Sequence, residues 1–257
     1  MKKLICANVF APLRIGPSHK SEQGSQILFG EKYTILDRSA KWIKVSNEFD
    51  GYAGWLDGDH HLYFATEEHD FPTDILAART EFTDDNGHVL VLEAGSEIYN
   101  INKEKISFTI GKAKFTARSK VTLCPVNEPV SETALRFLNC PYLWGGRISG
   151  GMDCSGLTQL VYKLHGYSLP RDSFMQAEVG ETISFIEEGK AGDLLFFDDD
   201  RGNITHVGLL LNRGYVIHCS GKVRIDRIDH QGIYAEETNR YTHRLRTIKR
   251  VNINYER

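Results

Sequence analysis

At 257 residues the chain is long for one small domain and reads as two or three, on a soft prior of roughly 100–150 residues each. Apolar and charged fractions of 41% and 25% support a conventional core, and a net charge of −3 without a basic patch argues against nucleic acid or an anionic membrane as the main partner. Five scattered cysteines (Cys6, Cys124, Cys140, Cys154, Cys219) with no C-x-x-C pair argue against a disulfide framework or a structural zinc site and fit a reducing compartment.

In chain order, Met1 to Phe10 begins like a signal peptide, but its apolar run is short and is followed by Pro12 and Arg14. No stretch approaches transmembrane length. The expectation is a cytoplasmic protein; the alternative is that Met1 stands where a leader was removed. Residues 1–65 read as all-β, with strand-like pieces at Glu31–Leu36, Trp42–Val45 and Gly54–Leu56 between Gly, Asp and Ser turns. Residues 66–125 are also β-rich, with pieces at His88–Leu92, Ser96–Tyr99, Ile106–Ile110 and Lys112–Ala117. Cys124 to Val130 carries Pro125 and Pro129 and reads as a linker. The expected domains are therefore 1–65, 66–125 and 126–257.

Beyond the linker, Ser131 is expected to cap a helix that turns Ala134, Leu135 and Leu138 to one face and ends before Pro141. Tyr142 to His165 follows. Its glycines (Gly145, Gly146, Gly150, Gly151) describe a tight loop, and Asp153 stands at a helix N-cap. Leu157, Leu160, Val161 and Leu164 hold the spacing of an amphipathic helix that Gly166 closes. One or two helical turns are expected over Ser173–Gly180. Strands are expected at Leu194–Phe197, Ile204–Leu211, Tyr215–Ser220, Val223–Arg227 and Thr242–Val251. Helices first and sheet afterwards make an α+β arrangement.

Cys154 thus opens a buried helix, where unpaired N–H groups and the positive dipole end favour a thiolate. The competing reading is a small buried residue under a helix. A nucleophile also needs a base, and the strands supply histidines. If Asn212-Arg213-Gly214 is a three-residue hairpin loop, Leu211 pairs with Tyr215. His206 then faces Ser220, with His218 a diagonal neighbour on the same face, roughly 7–8 Å away. A two-residue loop would put the two on opposite faces. Two same-face histidines near a helix-capped cysteine offer a nucleophile, a base and an orienting group. A catalytic zinc on Cys154, His206 and His218 is disfavoured because it would mask the thiolate.

D-C-S-G opening a helix, an upstream Y-x-W-G-G, a T-H-V-G strand and a further His twelve residues on resemble the NlpC-type cysteine peptidases, papain-like enzymes that cut bacterial cell-wall peptides. The resemblance runs from Ser131 to the C-terminus. Upstream, P-L-R (12–14), S-Q-I-L-F-G-E (25–31), W-I-K-V (42–45) and G-Y-A-G-W-L (51–56) resemble a bacterial SH3-like barrel, and residues 66–125 read as a second, degenerate one. The fold so implied is multidomain: two small all-β SH3-like barrels, then an α+β papain-like NlpC-type catalytic domain. This order resembles the γ-D-glutamyl-L-diamino acid endopeptidases of dipeptidyl-peptidase VI type.

The resemblance implies a cysteine peptidase without cofactor or metal, with Cys154 as nucleophile, His206 as base and His218 as orienter. Tyr142 would join the Cys154 N–H in the oxyanion site. Trp144 would wall the groove or simply pack. Asp153 would cap the helix and could also meet a substrate amine, Ser155 a substrate carboxylate, and Asp172 and Ser173 would line the groove. Glu22 and Tyr52 of the first barrel would recognise and enclose a free N-terminal ammonium; the plain alternative is a solvated carboxylate and a barrel-rim aromatic. The implied substrate is a murein peptide with free N-terminal L-Ala, cut to release L-Ala-γ-D-Glu during murein recycling by a monomer. An amidase or acyltransferase on the same scaffold, or a wall-binding module with a relict site, are the competing readings.

Overall fold

The computed structural model describes residues 3–65, 74–102, 106–212 and 214–252. The chain divides into two compact units, Met1–Val126 and Asn127–Arg257. The expected boundary at 65/66 abuts residues 66–73, which lie outside the described residues, as does Arg213 of the expected hairpin loop.

The first unit is all-β: β1 (Lys3–Cys6), β2 (Phe10–Arg14), β3 (Gln23–Leu28), β4 (Lys32–Ser39), β5 (Trp42–Asn47), β6 (Ala53–Asp57), β7 (Tyr63–Ala65), β8 (Asp74–Ile75), β9 (Thr80–Asp84), β10 (Val89–Leu92), β11 (Glu97–Ile98), β12 (Ser107–Ile110) and β13 (Ala113–Ala117). Where the sequence suggests two barrels, the described strands form a seven-stranded sheet (β3-β2-β6-β5-β4-β1-β7), a four-stranded sheet (β10-β9-β13-β12) and the β11-β8 ribbon. The run that begins like a signal peptide is β1, held between β4 and β7 with Leu4, Ile5 and Cys6 buried. One core gathers Leu4, Leu13, Ile27, Tyr33, Val45 and Leu56. A second joins Ile5 and Phe29 to Leu76, Phe82, Phe108 and Phe115, so segments on both sides of residues 66–73 share a core.

The second unit holds α1 (Val130–Leu135), β14 (Arg147–Ile148), β15 (Gly151–Met152), α2 (Cys154–Leu164), α3 (Ser173–Gln176), β16 (Glu181–Ile183), β17 (Leu194–Asp198), β18 (Ile204–Asn212), β19 (Tyr215–Ser220), β20 (Lys222–Ile228), β21 (Gly232–Ala235) and β22 (Arg240–Arg250). Its main sheet runs β16-β22-β17-β18-β19-β20-β21, and the β21–β22 pairing closes strands β17 to β22 into a barrel. Leu195, Phe197, Leu210, Val216, Ile228, Ile233 and Ile248 form a core on this sheet.

Helix α2 forms for the reasons its sequence suggests. Asp153 caps it by accepting from the Gly156 N–H, and Gly166 leaves it at φ +79°. Leu157, Leu160, Val161 and Leu164 are buried, each stabilising the unit by about 1.5–3 kcal/mol relative to exposure. Helix α1 departs from expectation. Its N-cap is Pro129, with Ser131 inside the helix, and Leu135 and Leu138 are exposed. The helix is only six residues long, and its buried side is Ser131, Thr133 and Ala134. There Thr133 Oγ1 lies 2.9 Å from His165 Nε2, which makes His165 a buried partner rather than a surface residue.

The β18–β19 register sets the site. Gly208 pairs with His218, Leu209 with Ile217 and Leu210 with Val216, which is the expected alignment. It arises differently, however: Asn212, not Leu211, pairs with Tyr215, and a bulge between Leu210 and Asn212 absorbs the extra residue. The bulge keeps His206 and His218 on one face although the closing pair is one residue off.

Candidate active site

Cys154 is the first residue of α2 and is buried, and α2 packs against β18 and β19. Its sulfur is hydrogen-bonded by the backbone amides of Val207, the residue after His206, and of Ser155. Burial pushes the thiol up to about 12 and the Asp153 carboxylate adds to the rise; the two amides and the Arg171 guanidinium offset only part of it. Desolvation thus opposes the helix terminus, which favours the thiolate.

The loop before α2 is anchored through Asp153. Its Oδ2 accepts from the Gly145 N–H at 2.8 Å and Arg171 Nη2 at 2.6 Å, and its Oδ1 from Gly156 N–H at 2.7 Å and Arg171 Nη1 at 3.0 Å. Ser155 Oγ donates to the same Oδ1 at 3.2 Å and accepts from Arg171 Nη1 at 2.8 Å. Arg171, Asp153 and Ser155 are all buried, so this bidentate pair orders the Gly145–Gly146 turn, the helix start and the Arg171 segment together. Gly156 is required here because a Cβ would collide with the Gly146 carbonyl.

Tyr142 is partly exposed, and its N–H donates to the Gly221 carbonyl at 3.1 Å. Burial, then the nearness of Cys154, Asp153 and Cys219, pushes its phenol up to about 12, which puts it beside the nucleophile. Trp144 is exposed. Asp172 takes the N-cap position of α3 without a side-chain cap bond, and Ser173 is buried at the start of that helix, which packs on β18 and α2.

On the barrel, His206 Nε2 lies 2.8 Å from His218 Nδ1, and His218 Nε2 lies 2.8 Å from Asp226 Oδ2. Both histidines are buried. Their side chains thus close the diagonal spacing to hydrogen-bond contact. Gly208 makes this possible, since a Cβ there would lie 3.0 Å from His218 Cβ and 2.7 Å from Val216 Cγ2. Burial, with His218 and His243 close by, holds His206 well below its ordinary pKa. Burial therefore disfavours the charged form of both the thiol and the imidazole.

Three residues of this cluster go beyond the sequence reading. Asp226 is buried on β20; although burial raises its pKa, hydrogen bonds from His218 and Arg224 hold it down to about 2. Arg224 grips it through Nε at 2.6 Å and Nη2 at 2.7 Å. His243 is half-buried and stacks on His206 at 4.2 Å between ring centroids. A signal for Asp226 was present: a turn at Gly221 pairing Ser220 with Lys222 puts Arg224 opposite His218 and Asp226 two residues on, on the same face.

Glu22 and Tyr52 belong to the first unit. The Glu22 carbonyl accepts from the Ile15 N–H at 3.0 Å. The Tyr52 ring packs on the core of Leu13 and Val45, and its hydroxyl lies over Gly24, where a Cβ would collide with it. Glu22 thus directly precedes β3, and the Tyr52 hydroxyl lies over the second residue of that strand.

A helix-capped cysteine and a buried histidine pair on an α+β scaffold define the class, a papain-like cysteine peptidase. The NlpC/P60 family matches residues 139–246, and the bacterial dipeptidyl-peptidase Sh3 domain matches residues 13–60. Residues 139–246 are thus an NlpC/P60-family cysteine-peptidase domain preceded by an SH3-like domain, an arrangement related to bacterial enzymes of the dipeptidyl-peptidase VI type. It is 29% identical over 223 residues to a γ-D-glutamyl-L-lysine dipeptidyl-peptidase of Bacillus subtilis, covering 76% of this chain and 71% of that one. It is 24% identical over 253 residues to dipeptidyl-peptidase 6 of Lysinibacillus sphaericus, covering 88% and 90%. A crystal structure of an NlpC/P60 family protein from Bacillus cereus shares the fold, with a TM-score of 0.82 at 21% identity over 96% of this chain and 99% of that one.

Proposed function

We propose that this peptidase hydrolyses the γ-D-glutamyl-L-diamino acid bond of murein peptides carrying a free N-terminal L-Ala, releasing L-Ala-γ-D-Glu. The observation that carries the reading is Cys154 at the start of α2, its sulfur held by the amide that follows His206. The activity named for the Bacillus subtilis relative supports the choice of bond. Murein recycling is the setting, since released peptides are where free N-termini arise. In this reading residues 1–65 and 66–125 are two SH3-like modules, the second degenerate, and 126–257 is the catalytic domain.

Burial disfavours the charged forms of thiol and imidazole, so in this reading proton transfer accompanies attack. The Cys154 sulfur bonds to the γ-carbonyl carbon of D-Glu as its proton passes to His206. The oxygen becomes an oxyanion, accepted by the Cys154 N–H and the Tyr142 hydroxyl. His206 returns the proton to the diamino acid's amine as the C–N bond breaks. Water, deprotonated by His206, then cleaves the thioester and frees the γ-carboxylate. Asp153, Ser155, Asp172 and Ser173 shape the groove that receives the peptide, and Trp144 flanks it.

Incubation with L-Ala-γ-D-Glu-L-Lys or its meso-diaminopimelate counterpart, followed by mass spectrometry, should give L-Ala-γ-D-Glu and the free diamino acid. Cys154→Ala should abolish turnover, whereas Cys140→Ala and Cys219→Ala should retain it. Cleavage at the L-Ala–D-Glu bond instead, or turnover by Cys154→Ala, would overturn the reading.

A further inference from the structure

Four side chains form one hydrogen-bonded line: Arg224, Asp226, His218 and His206. Its direction follows from which groups can only donate and which can only accept. Arg224 is a pure donor, and an ionised Asp226 a pure acceptor. Asp226 Oδ2 takes Arg224 Nε and Oδ1 takes Nη2, which keeps the carboxylate ionised although it is buried. His218 Nε2, 2.8 Å from Oδ2, must therefore carry a proton. A neutral His218 then has its lone pair on Nδ1. His206 Nε2 is 2.8 Å from that lone pair, so it too must carry its proton there. Only Nδ1 of His206 is left basic.

The geometry points to Asp226 as a positioning residue that sets, through His218, which nitrogen of His206 serves as the base. This rests on the assignment of His206 as the base. Arg224 matters as much as the carboxylate, because its fork leaves Asp226 no freedom to turn away from His218. The groups facing the two rings are Phe197 from β17, His243 from β22, and Asp226 with Arg224 from β20, Glu237 pairing with the far side of Arg224 at 3.3 Å. His243 is held neutral by burial, so it adds a stacking surface and no competing charge. With Arg224 beside it, Asp226 acts as a fixed acceptor more than as an uncompensated charge.

Asp226→Ala distinguishes this role from packing on β20, because it removes the acceptor that fixes the line and imposes no tautomer of its own. His218 then loses the anchor for its Nε2–H and can turn either nitrogen toward His206, so His206 holds its proton on Nε2 in only part of the molecules. A loss of about tenfold or more in kcat is expected, with KM changed little. Asp226→Glu, which restores a carboxylate acceptor, should regain part of the activity.

The deciding measurement is independent of turnover: long-range ¹H–¹⁵N correlation of the histidine rings in the full chain, at a pH where both are neutral. The wild type should show His206 and His218 as Nε2–H tautomers, and Asp226→Ala should show a mixture of tautomers at both rings. An Nδ1–H His218 in the wild type overturns the inference, and this spectrum alone decides if Asp226→Ala does not fold. So does a folded Asp226→Ala with unchanged tautomers. If the tautomers mix in the variant while the wild type cleaves no murein tripeptide, the tautomer relay stands and the peptidase assignment falls.

Discussion

His206 and His218 touch each other but are asked to do different things. In the proposed mechanism, losing His206 removes the group that takes the thiol proton, and a thiol pushed up to about 12 by burial does not ionise unaided near pH 7. Losing His218 leaves nucleophile and base in place and removes only the contact that holds the ring. His206→Ala should therefore cost more in kcat than His218→Gln, which keeps a hydrogen-bonding side chain. Steady-state kinetics on the tripeptide checks this, and a larger loss for His218→Gln would exchange the two roles. The Cys154–His206–His218 set was legible from the sequence because each member sits at a marked position: a helix cap for one, alternating strand positions for the others. Asp226 and His243 were not marked in this way. Both lie on strands whose charged residues look solvated until pairing shows which face they share.

At the scale of elements, the second unit depends on two close approaches. One is Gly156 against Gly146, where the helix start meets its own preceding loop. The other is Gly208 opposite His218 across the β18–β19 pair. Gly208→Ala should force the strands apart at that point, costing about 1–3 kcal/mol in stability. It should also lower kcat more than the destabilisation alone explains, since it lengthens the contact between the two imidazoles. Denaturant titration beside kinetics separates the two effects, and a variant with normal kcat would show that the contact tolerates displacement. The buried Arg171–Asp153 pair acts differently. Its removal would leave a buried charge uncompensated and loosen three segments at once.

For the whole molecule, buried histidines set the response to acid. His243 in the second unit and His61 in the first are pushed down to about 4 by burial, and His206 is also held well below 6.5. In the unfolded chain all three take up protons near 6.5, whereas the folded protein resists until about 4. The unfolded state therefore binds more protons across that window, and stability should fall as pH drops from about 6.5 to about 4. His243→Phe, which keeps a ring against His206, should flatten the pH dependence of Tm there. An unchanged slope would contradict the neutral, buried state of His243. The first unit's share in substrate choice is tested by Glu22→Gln. If Glu22 binds the substrate ammonium, a charge-assisted contact of about 1.5–3 kcal/mol is lost and kcat/KM for the free peptide falls roughly tenfold to a hundredfold. The N-acetylated peptide should be affected far less, and equal losses on both would remove that role.

Local chemistry was enough to read α2, its Asp153 cap, the strands around Thr205–Gly208 and Tyr215–Ser220, and the break between the two units near Val126. Capping, periodicity and proline content act over a few residues, so they are written where they act. The hairpin register also came out as expected, though through a bulge that no local residue announces. Tertiary structure alone decided the rest. Closure of β17 to β22, the burial that pushes the Cys154 thiol up, the stacking of His243 and the grip of Arg224 on Asp226 all depend on which distant segments meet. Desolvation is a property of the surrounding packing, and a side chain's type and neighbours in sequence do not contain it.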